Sequence, residues 1–286
     1  MTIPKLDFPV TVFSALKWAT ASLQQSGQQP TAAKELLQGL LGWNLTTLVA
    51  NYRTQLSATQ RDHFEEVVHQ ACQGQPVQYI LGQAPFYGLE LQVNPAVLIP
   101  RPETEELVDW LLHDYGTSRL RLLDLGTGSG AIALACKHER PNWQVLGSDI
   151  SKAALQVARQ NATALGLDVT WQESDLFQTL QGQRFEVIIS NPPYIANCER
   201  TVMDQQVLDY EPSQALFASH HGLAFYQRIA NEIATYLTRP GTLYLEIGYR
   251  QGVAVQRLLQ QANPTAQIGL QQDLAGHDRM IKMKLR

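Results

Sequence analysis

The chain lacks the features that mark several large protein classes. Its 286 residues hold only three cysteines, Cys72, Cys136 and Cys198, far apart and odd in number. That argues against a disulfide framework or a Cys-x-x-Cys metal knuckle and fits a reduced, cytoplasmic setting. No His-Glu-x-x-His and no clustered carboxylate–histidine spacing occurs, so no metal is expected. The pair His220-His221 reads as a solvated loop. No apolar run approaches the ~20 residues of a membrane span, and Met1 to Asp7 show no charged–apolar leader pattern. Charge is sparse as well, at 17% of residues with a net of -4, whereas a general nucleic-acid binder usually carries a basic domain. Internal repeats and low-complexity linkers are missing. What the chain does have is apolar content: 44% hydrophobic residues over a length that suits two domains.

Residues 1–75 read as short helices without strands. Val12, Leu16, Ala19 and Leu23 recur at helical spacing, Thr31 can cap a second helix, and Ser57-Ala58-Thr59-Gln60 fits a capping box. This predicts a small helical domain that recognises a substrate or stabilises the fold. Residues 76–100 predict a linker with a β-hairpin, because Leu89, Leu91 and Val93 alternate with polar residues after Gly88. Strand-like and helical stretches alternate over residues 101–286, which implies a doubly wound, mostly parallel sheet with helices on both faces. The acids Glu103, Glu105 and Glu106 suit a first helical turn, where negative charge complements the helix dipole.

Two motifs carry chemistry. The first is Asp124-Leu125-Gly126-Thr127-Gly128-Ser129-Gly130-Ala131, between a strand-like run and a helical one. Its glycines let the backbone approach a ligand closely, and the N–H groups of the helix start face it. Asp149 ends the next strand about twenty residues on, where an acid commonly bonds ribose hydroxyls. Together they read as a nucleoside-binding unit. The glycine spacing also fits a nicotinamide dehydrogenase, which stays open here.

The second motif is Asn191-Pro192-Pro193-Tyr194, after the apolar run Phe185 to Ser190. Two prolines have no N–H and a fixed φ, so the segment leaves the sheet as a stiff arch. The arch offers an Asn side chain, backbone carbonyls and an aromatic ring. Two acceptors and a flat cover suit a planar –NH2 group. A strand-end turn stiffened by proline explains the arch alone equally well.

In sequence these motifs follow the order glycine loop, Asp149, Ser174-Asp175-Leu176-Phe177, Asn-Pro-Pro-Tyr. The order resembles a class I S-adenosylmethionine-dependent methyltransferase acting on a planar amino group. The upstream runs Pro76 to Gly82, Phe86-Tyr87-Gly88 and Val97-Leu98-Ile99-Pro100-Arg101-Pro102-Glu103-Thr104-Glu105 narrow this. With them, nearly the whole chain is similar to the HemK/PrmC family, which methylates the glutamine of the Gly-Gly-Gln motif in peptide chain release factors. The resemblance implies a seven-stranded sheet with an antiparallel C-terminal strand, S-adenosyl-L-methionine as cofactor and class I release factors as protein substrates. It implies cofactor contacts at Gly126, Thr127, Gly128, Ser129, Gly130, Asp149, Asp175, Leu176 and Asn191. Asn191, Pro192, Pro193 and Tyr194 become substrate residues, with Asn191, Pro192 and Tyr194 catalytic, and Arg101-Pro102 become the cofactor-pocket floor. Leu176 departs from members that carry Trp there. A monomer without direct nucleic-acid or membrane contact is expected. Ribosomal-protein glutamine methyltransferases are related alternatives, but they carry another sequence in place of Arg-Pro-Glu-Thr-Glu. A nucleic-acid adenine amino-methyltransferase shares the arch yet needs a positive track. A non-enzymatic release-factor-binding module would not need an intact cofactor site.

Overall fold

The computed structural model describes Leu6 and residues 9–286. The absence of a leader was read on Met1 to Asp7, which, Leu6 aside, lie outside the described residues. Packing divides the chain into two compact units, Met1–Gln83 and Ala84–Arg286.

The first unit is helical: α1 (Val12–Gln25), α2 (Ala32–Leu41), α3 (Leu45–Ala50), α4 (Ala58–Cys72) and α5 (Val77–Leu81). The expected capping box opens α4, with Ser57 and Gln60 bonding each other's backbone N–H. Thr31 does not cap α2: its own backbone is already helical (φ -63°, ψ -28°), which takes its hydroxyl away from the free N–H groups. Helical turns begin earlier, at Gln29 and Pro30. Residues 77–81, expected within the linker, form α5 and pack on α2. Gly39 allows this, since a Cβ there would stand 2.6 Å from Leu81. Leu23, Leu36, Leu37, Leu48, Phe64 and Val68 fill the unit's core.

The second unit opens on the expected hairpin, β1 (Gln83–Phe86) and β2 (Leu89–Gln92), turned at Tyr87 and Gly88 with φ of 48° and 75°. Two consecutive left-handed residues match the turn that suits tight hairpins. The main sheet comprises β3 (Arg121–Leu125), β4 (Gln144–Asp149), β5 (Thr170–Glu173), β6 (Phe185–Ser190), β9 (Leu237–Glu246), β10 (Gln267–Gln272) and β11 (Asp278–Leu285). Their order is β10-β11-β9-β6-β3-β4-β5, and β11 runs antiparallel to both its neighbours. This is the mostly parallel, seven-stranded class I methyltransferase sheet that the resemblance implied. A small parallel pair, β7 (Ile195–Ala196) and β8 (Phe217–Ala218), follows the arch.

Alternation along the strands sends side chains to opposite faces. Leu122, Val145, Val187 and Ile189 join one core with α6 (Pro102–Asp114) and α7 (Ala131–Glu139). Leu123, Leu146, Ile188 and Leu243 join the other. That second face is covered by α12 (Ala224–Tyr236) and α13 (Gly252–Ala262), through Tyr226, Ile229, Val255 and Leu259. The helix α8 (Lys152–Leu165) lies between β4 and β5 in the chain, and the short helices α9 (Gln205–Tyr210), α10 (Ser213–Leu216) and α11 (Ser219–Gly222) lie between β7 and α12. The chain leaves β3 for β4 on one side and later places β6 on the other, which opens a crevice at the carboxyl ends. Among the described residues, no helix is long and apolar enough to cross a membrane.

Candidate active site

Loops at the carboxyl ends of β3, β4, β5 and β6 surround a cavity of about 340 Å³. Gly126, Gly128 and Gly130 all take left-handed φ, at 78°, 56° and 84°. This bends the chain straight from β3 into α7, and Gly126 and Thr127 donate their N–H groups to Ser148 O at 2.8 Å. Gly126, Thr127, Gly128 and Ser129 line the cavity; Gly130 does not. Gly130 is the N-cap of α7, and a Cβ there would meet Trp171 at 3.0 Å. Trp171 also lies under Gly147, where a Cβ would be 2.4 Å from the ring. Asp124 anchors the loop from below. Its Oδ2 accepts from Thr127 Oγ1 at 2.5 Å and Ala133 N at 3.1 Å. Burial pushes its carboxyl up to about 7, against those two hydrogen bonds.

Asp149 stands at the wall of the same cavity. Its Oδ2 accepts from Gly128 N at 2.9 Å and its Oδ1 from Ser151 N at 2.8 Å. Burial raises its pKa, opposed by these backbone donors. Each oxygen keeps a second lone pair for a ligand hydroxyl. Asp175 and Leu176 form the next part of the wall. Asp175 is already engaged, with Arg228 Nη2 at 2.8 Å and Gln178 Nε2 at 3.2 Å. Leu176 is held at φ 50°, an uncommon left-handed conformation for a branched residue, and its carbonyl accepts from Ser174 Oγ at 2.6 Å.

The opposite wall is the arch. Asn191, Pro192 and Pro193 line the cavity. Tyr194 faces a second, smaller cavity of about 220 Å³, which shares Leu98, Arg101, Asn191 and Ala215 with the first. Asn191 therefore belongs to the wall of both. Of the expected floor, Arg101 lines the cavities and Pro102 does not. Arg101 is fixed by the buried Glu211, 2.5 Å away.

The arch is held by side chains. Asn191 Nδ2 donates to Thr104 Oγ1 at 3.0 Å, and Thr104 Oγ1 donates to Glu246 Oε2 at 2.6 Å. Tyr194 donates its hydroxyl to Glu246 Oε1 at 3.3 Å. Ser190 pairs with Leu245 across the sheet, which brings Asn191 alongside Glu246. Burial pushes the Glu246 carboxyl up to about 7, opposed by Thr104, Arg279 and Tyr194. Burial and the neighbouring Glu246 push the Tyr194 phenol well above its usual range. The Tyr194 carbonyl accepts from Gln251 Nε2 at 2.9 Å. Behind it sits Gly222 at φ 81°, where a Cβ would lie 2.1 Å from that same carbonyl.

Comparison with known proteins identifies the family. The PrmC N-terminal domain model matches residues 14–82 and the methyltransferase small domain model matches residues 104–212. The release factor glutamine methyltransferase of Enterococcus faecalis is 40% identical over 268 residues, covering 94% of this chain and 97% of that protein. The enzyme of that name from Lactococcus lactis is 47% identical over 219 residues, 77% of this chain and 81% of that one. The chain belongs to the release factor glutamine methyltransferase family. At the level of fold alone, a methyltransferase from Pyrococcus furiosus aligns with a TM-score of 0.52 at 17% identity, over 69% of this chain and 88% of that one. The hMettl16 catalytic domain, solved with an RNA hairpin, aligns at 0.55 and 15%, over 80% of this chain and 82% of its own.

Three further residues stand at the site through their hydrogen bonds and ion pairs, Glu246, Thr104 and Arg228. Glu246 ends the apolar run Leu243-Tyr244-Leu245, as Asp149 ends its own strand, so an acid at a strand's carboxyl end was an available signal. Thr104 stands within the run Val97 to Glu105, where its residue type alone signals no role. Arg228, which reaches Asp175 from α12, had no local signal. The histidines His220 and His221 are exposed and take left-handed φ of 54° and 56° that interrupt α11, in agreement with a solvated pair outside regular helix. Among the described residues, no group of three or more His, Cys, Asp or Glu could hold a metal ion.

Proposed function

We propose that this chain transfers a methyl group from S-adenosyl-L-methionine to the side-chain amide nitrogen (N5) of glutamine in the Gly-Gly-Gln motif of class I release factors. The observation that carries this reading is Asn191, on the wall shared by the two cavities with its Nδ2 held by Thr104. Its Oδ1 is then the end left to accept from a substrate –NH2. The two cavities suit a two-part ligand arrangement, cofactor in the larger and glutamine side chain in the smaller.

The larger cavity fits the cofactor by its donor set. Asp149 retains lone pairs for the ribose hydroxyls, and the backbone of Gly126 to Ser129 allows close approach beside it. Ile150 and Leu176 offer apolar cover for the base, while Asp175 can accept from its amino group. S-adenosyl-L-methionine supplies an electrophilic methyl group on a sulfonium.

An amide nitrogen is a weak nucleophile, since its lone pair is conjugated with the carbonyl. No basic side chain is needed if geometry does most of the work. Asn191 Oδ1 and the Pro192 carbonyl accept the two N–H hydrogens and aim the nitrogen. Pro193 keeps the arch stiff, and Tyr194 closes the side of the smaller cavity. Such positioning is worth up to roughly 7–11 kcal/mol in favourable cases. The helical first unit serves to grip a folded protein substrate, so a free Gly-Gly-Gln peptide should react far more slowly than intact release factor. A cytoplasmic monomer suits this reading.

The experiment is mass spectrometry of purified release factor after incubation with this protein and isotopically labelled S-adenosyl-L-methionine. One labelled methyl on the Gly-Gly-Gln glutamine is expected. Label on a ribosomal protein or on adenine in nucleic acid, with none on the release factor, would replace this reading by the corresponding alternative.

A further inference from the structure

A carboxamide is nearly symmetric in shape but opposite in chemistry at its two ends. For Asn191 to receive a substrate –NH2, its oxygen must face the cavity. Its NH2 there would oppose one donor with another. Nothing in the Asn-Pro-Pro-Tyr run itself decides which end faces inward. The partner of the side chain is Thr104 Oγ1, 3.0 Å away. A hydroxyl has one proton and two lone pairs, so it can donate to an amide oxygen or accept from an amide nitrogen. A Thr104 hydroxyl free to donate could stabilise the wrong orientation as well as the right one.

Glu246 removes that freedom. Its Oε2 lies 2.6 Å from Thr104 Oγ1 and, when ionised, can only accept. In that ionised form it takes the single proton of Thr104, so Thr104 can serve Asn191 only as an acceptor. The nitrogen of Asn191 is drawn to Thr104 and Oδ1 is turned to the cavity. Its other oxygen holds the Tyr194 hydroxyl at 3.3 Å, so one carboxylate fixes both polar side chains of the arch. Glu246 is itself held in place: Tyr226 donates to its backbone carbonyl at 2.8 Å, and both residues are fully buried. A buried carboxylate is costly unless it is bonded, and here its bonds converge on the arch.

We propose that Glu246 is a positioning residue for methyl transfer, setting through the proton of Thr104 which end of the Asn191 amide meets the substrate. This rests on the proposed glutamine-methylating function for its consequence in turnover, but not for its consequence in geometry. The charged and titratable groups facing Glu246 are Thr104's neighbour Glu103 on α6, Tyr194 on the arch, Tyr226 on α12 and Arg279 on β11. Arg279 favours the ionised, acceptor-only form, and Glu103 opposes it.

Two measurements on the full-length chain test this. The first follows the Asn191 side-chain NH2 by NMR, without any substrate, in the wild type, Thr104→Val, Thr104→Ser and Glu246→Leu. A hydrogen-bonded NH2 with slowed exchange is expected in the wild type and Thr104→Ser, and its loss in the other two. An Asn191 NH2 that is unchanged in folded Glu246→Leu would overturn the proposal, whatever the substrate proves to be. The second is a cycle of single-turnover rates on release factor. Thr104→Val and Glu246→Leu should each slow transfer roughly 10- to 100-fold at saturating cofactor, with Thr104→Ser restoring it to within about 3-fold. In an Asn191→Ala background Thr104→Val should cost less than about 2-fold, because the residue it acts through is gone, and Glu246→Leu should cost less than in the wild type, keeping only what it does through Tyr194. Full, additive losses in that background would show a general structural role and overturn the proposal. A wild type that methylates no release factor would sink the proposed function instead, and the NMR result would still judge the orientation.

Discussion

The two walls of the larger cavity are held by different kinds of hydrogen bond. On the glycine-loop side, Asp149 is satisfied by backbone N–H groups, Gly128 at 2.9 Å and Ser151 at 2.8 Å. On the arch side, Glu246 is satisfied by side-chain hydroxyls, Thr104 at 2.6 Å and Tyr194 at 3.3 Å. Both are acids at the carboxyl ends of strands, and burial raises the pKa of each. Backbone donors belong to the chain's path and tolerate most changes of side chain. Side-chain donors can each be lost to one substitution. On the proposed function, the first wall is a robust holder for the cofactor and the second a tunable aimer for the reaction. Changes on the first should alter affinity, and changes on the second should alter rate.

That division can be broken by experiment. The largest effect is expected at the arch. Asn191→Ala should lower turnover by about 100-fold or more while S-adenosyl-L-methionine affinity stays near that of the wild type. Asn191→Asp sharpens the case, as it keeps an acceptor but loses the donor to Thr104. Near-normal rates for Asn191→Ala would reduce the arch to a stiff turn.

Next comes Asp149→Ala, which should weaken cofactor binding by about 1.5–3 kcal/mol, the usual worth of a hydrogen bond to a charged group. Calorimetry reads it directly. A folded Asp149→Ala with full affinity but reduced turnover would reverse the roles given to the two walls.

A smaller effect tests the support beneath the glycine loop. Gly147→Ala places a Cβ 2.4 Å from Trp171 and 3.0 Å from Thr127 Oγ1. Overpacking of this kind should cost about 1–3 kcal/mol in denaturant unfolding and should loosen cofactor binding with it. Equal stability with unchanged affinity would show that Trp171 yields without disturbing the loop.

The last effect concerns pH. Asp124 and Glu246 are both pushed up to about 7 by burial. A carboxyl with a raised folded pKa binds its proton more tightly folded than unfolded. Its contribution to stability is therefore present at low pH and declines as pH rises from the unfolded value near 4 to about 7. Urea unfolding between pH 5 and 8 should show stability falling with pH from these two groups. Glu246→Gln should flatten the slope on the arch side, and Asp124→Asn on the loop side. An unaltered slope in both would mean that neither carboxyl is shifted.

The same contrast explains how much of the site could be read from sequence. The glycine loop and Asp149 carry a sequence signal because their bonds stay within one strand–helix–strand unit, Asp149 with Ser151 two residues on and with Gly128 at the start of the same unit. The alternating strands were legible for a similar reason, since period and punctuation are local. The arch announced itself through two prolines, but its supports did not. Thr104, Glu246 and Tyr194 meet only because α6 and the arch after β6 both come up to the end of β9 in three dimensions. Sequence spacing says nothing of that. Thr31 failed as a cap for a related reason: its residue type was right, but the preceding Gln29-Pro30 turns had already committed its backbone to the helix.

Gly222 carries no chemistry, and it lies far along the chain from the arch it supports. A Cβ at this position would press within 2.1 Å of the Tyr194 carbonyl and 2.6 Å of Gln251 Nε2. The most intolerant site in a mutational scan of the arch should therefore include a residue outside it. A screen scored on activity alone would rank Gly222 beside Asn191 and mistake a clearance for a reagent.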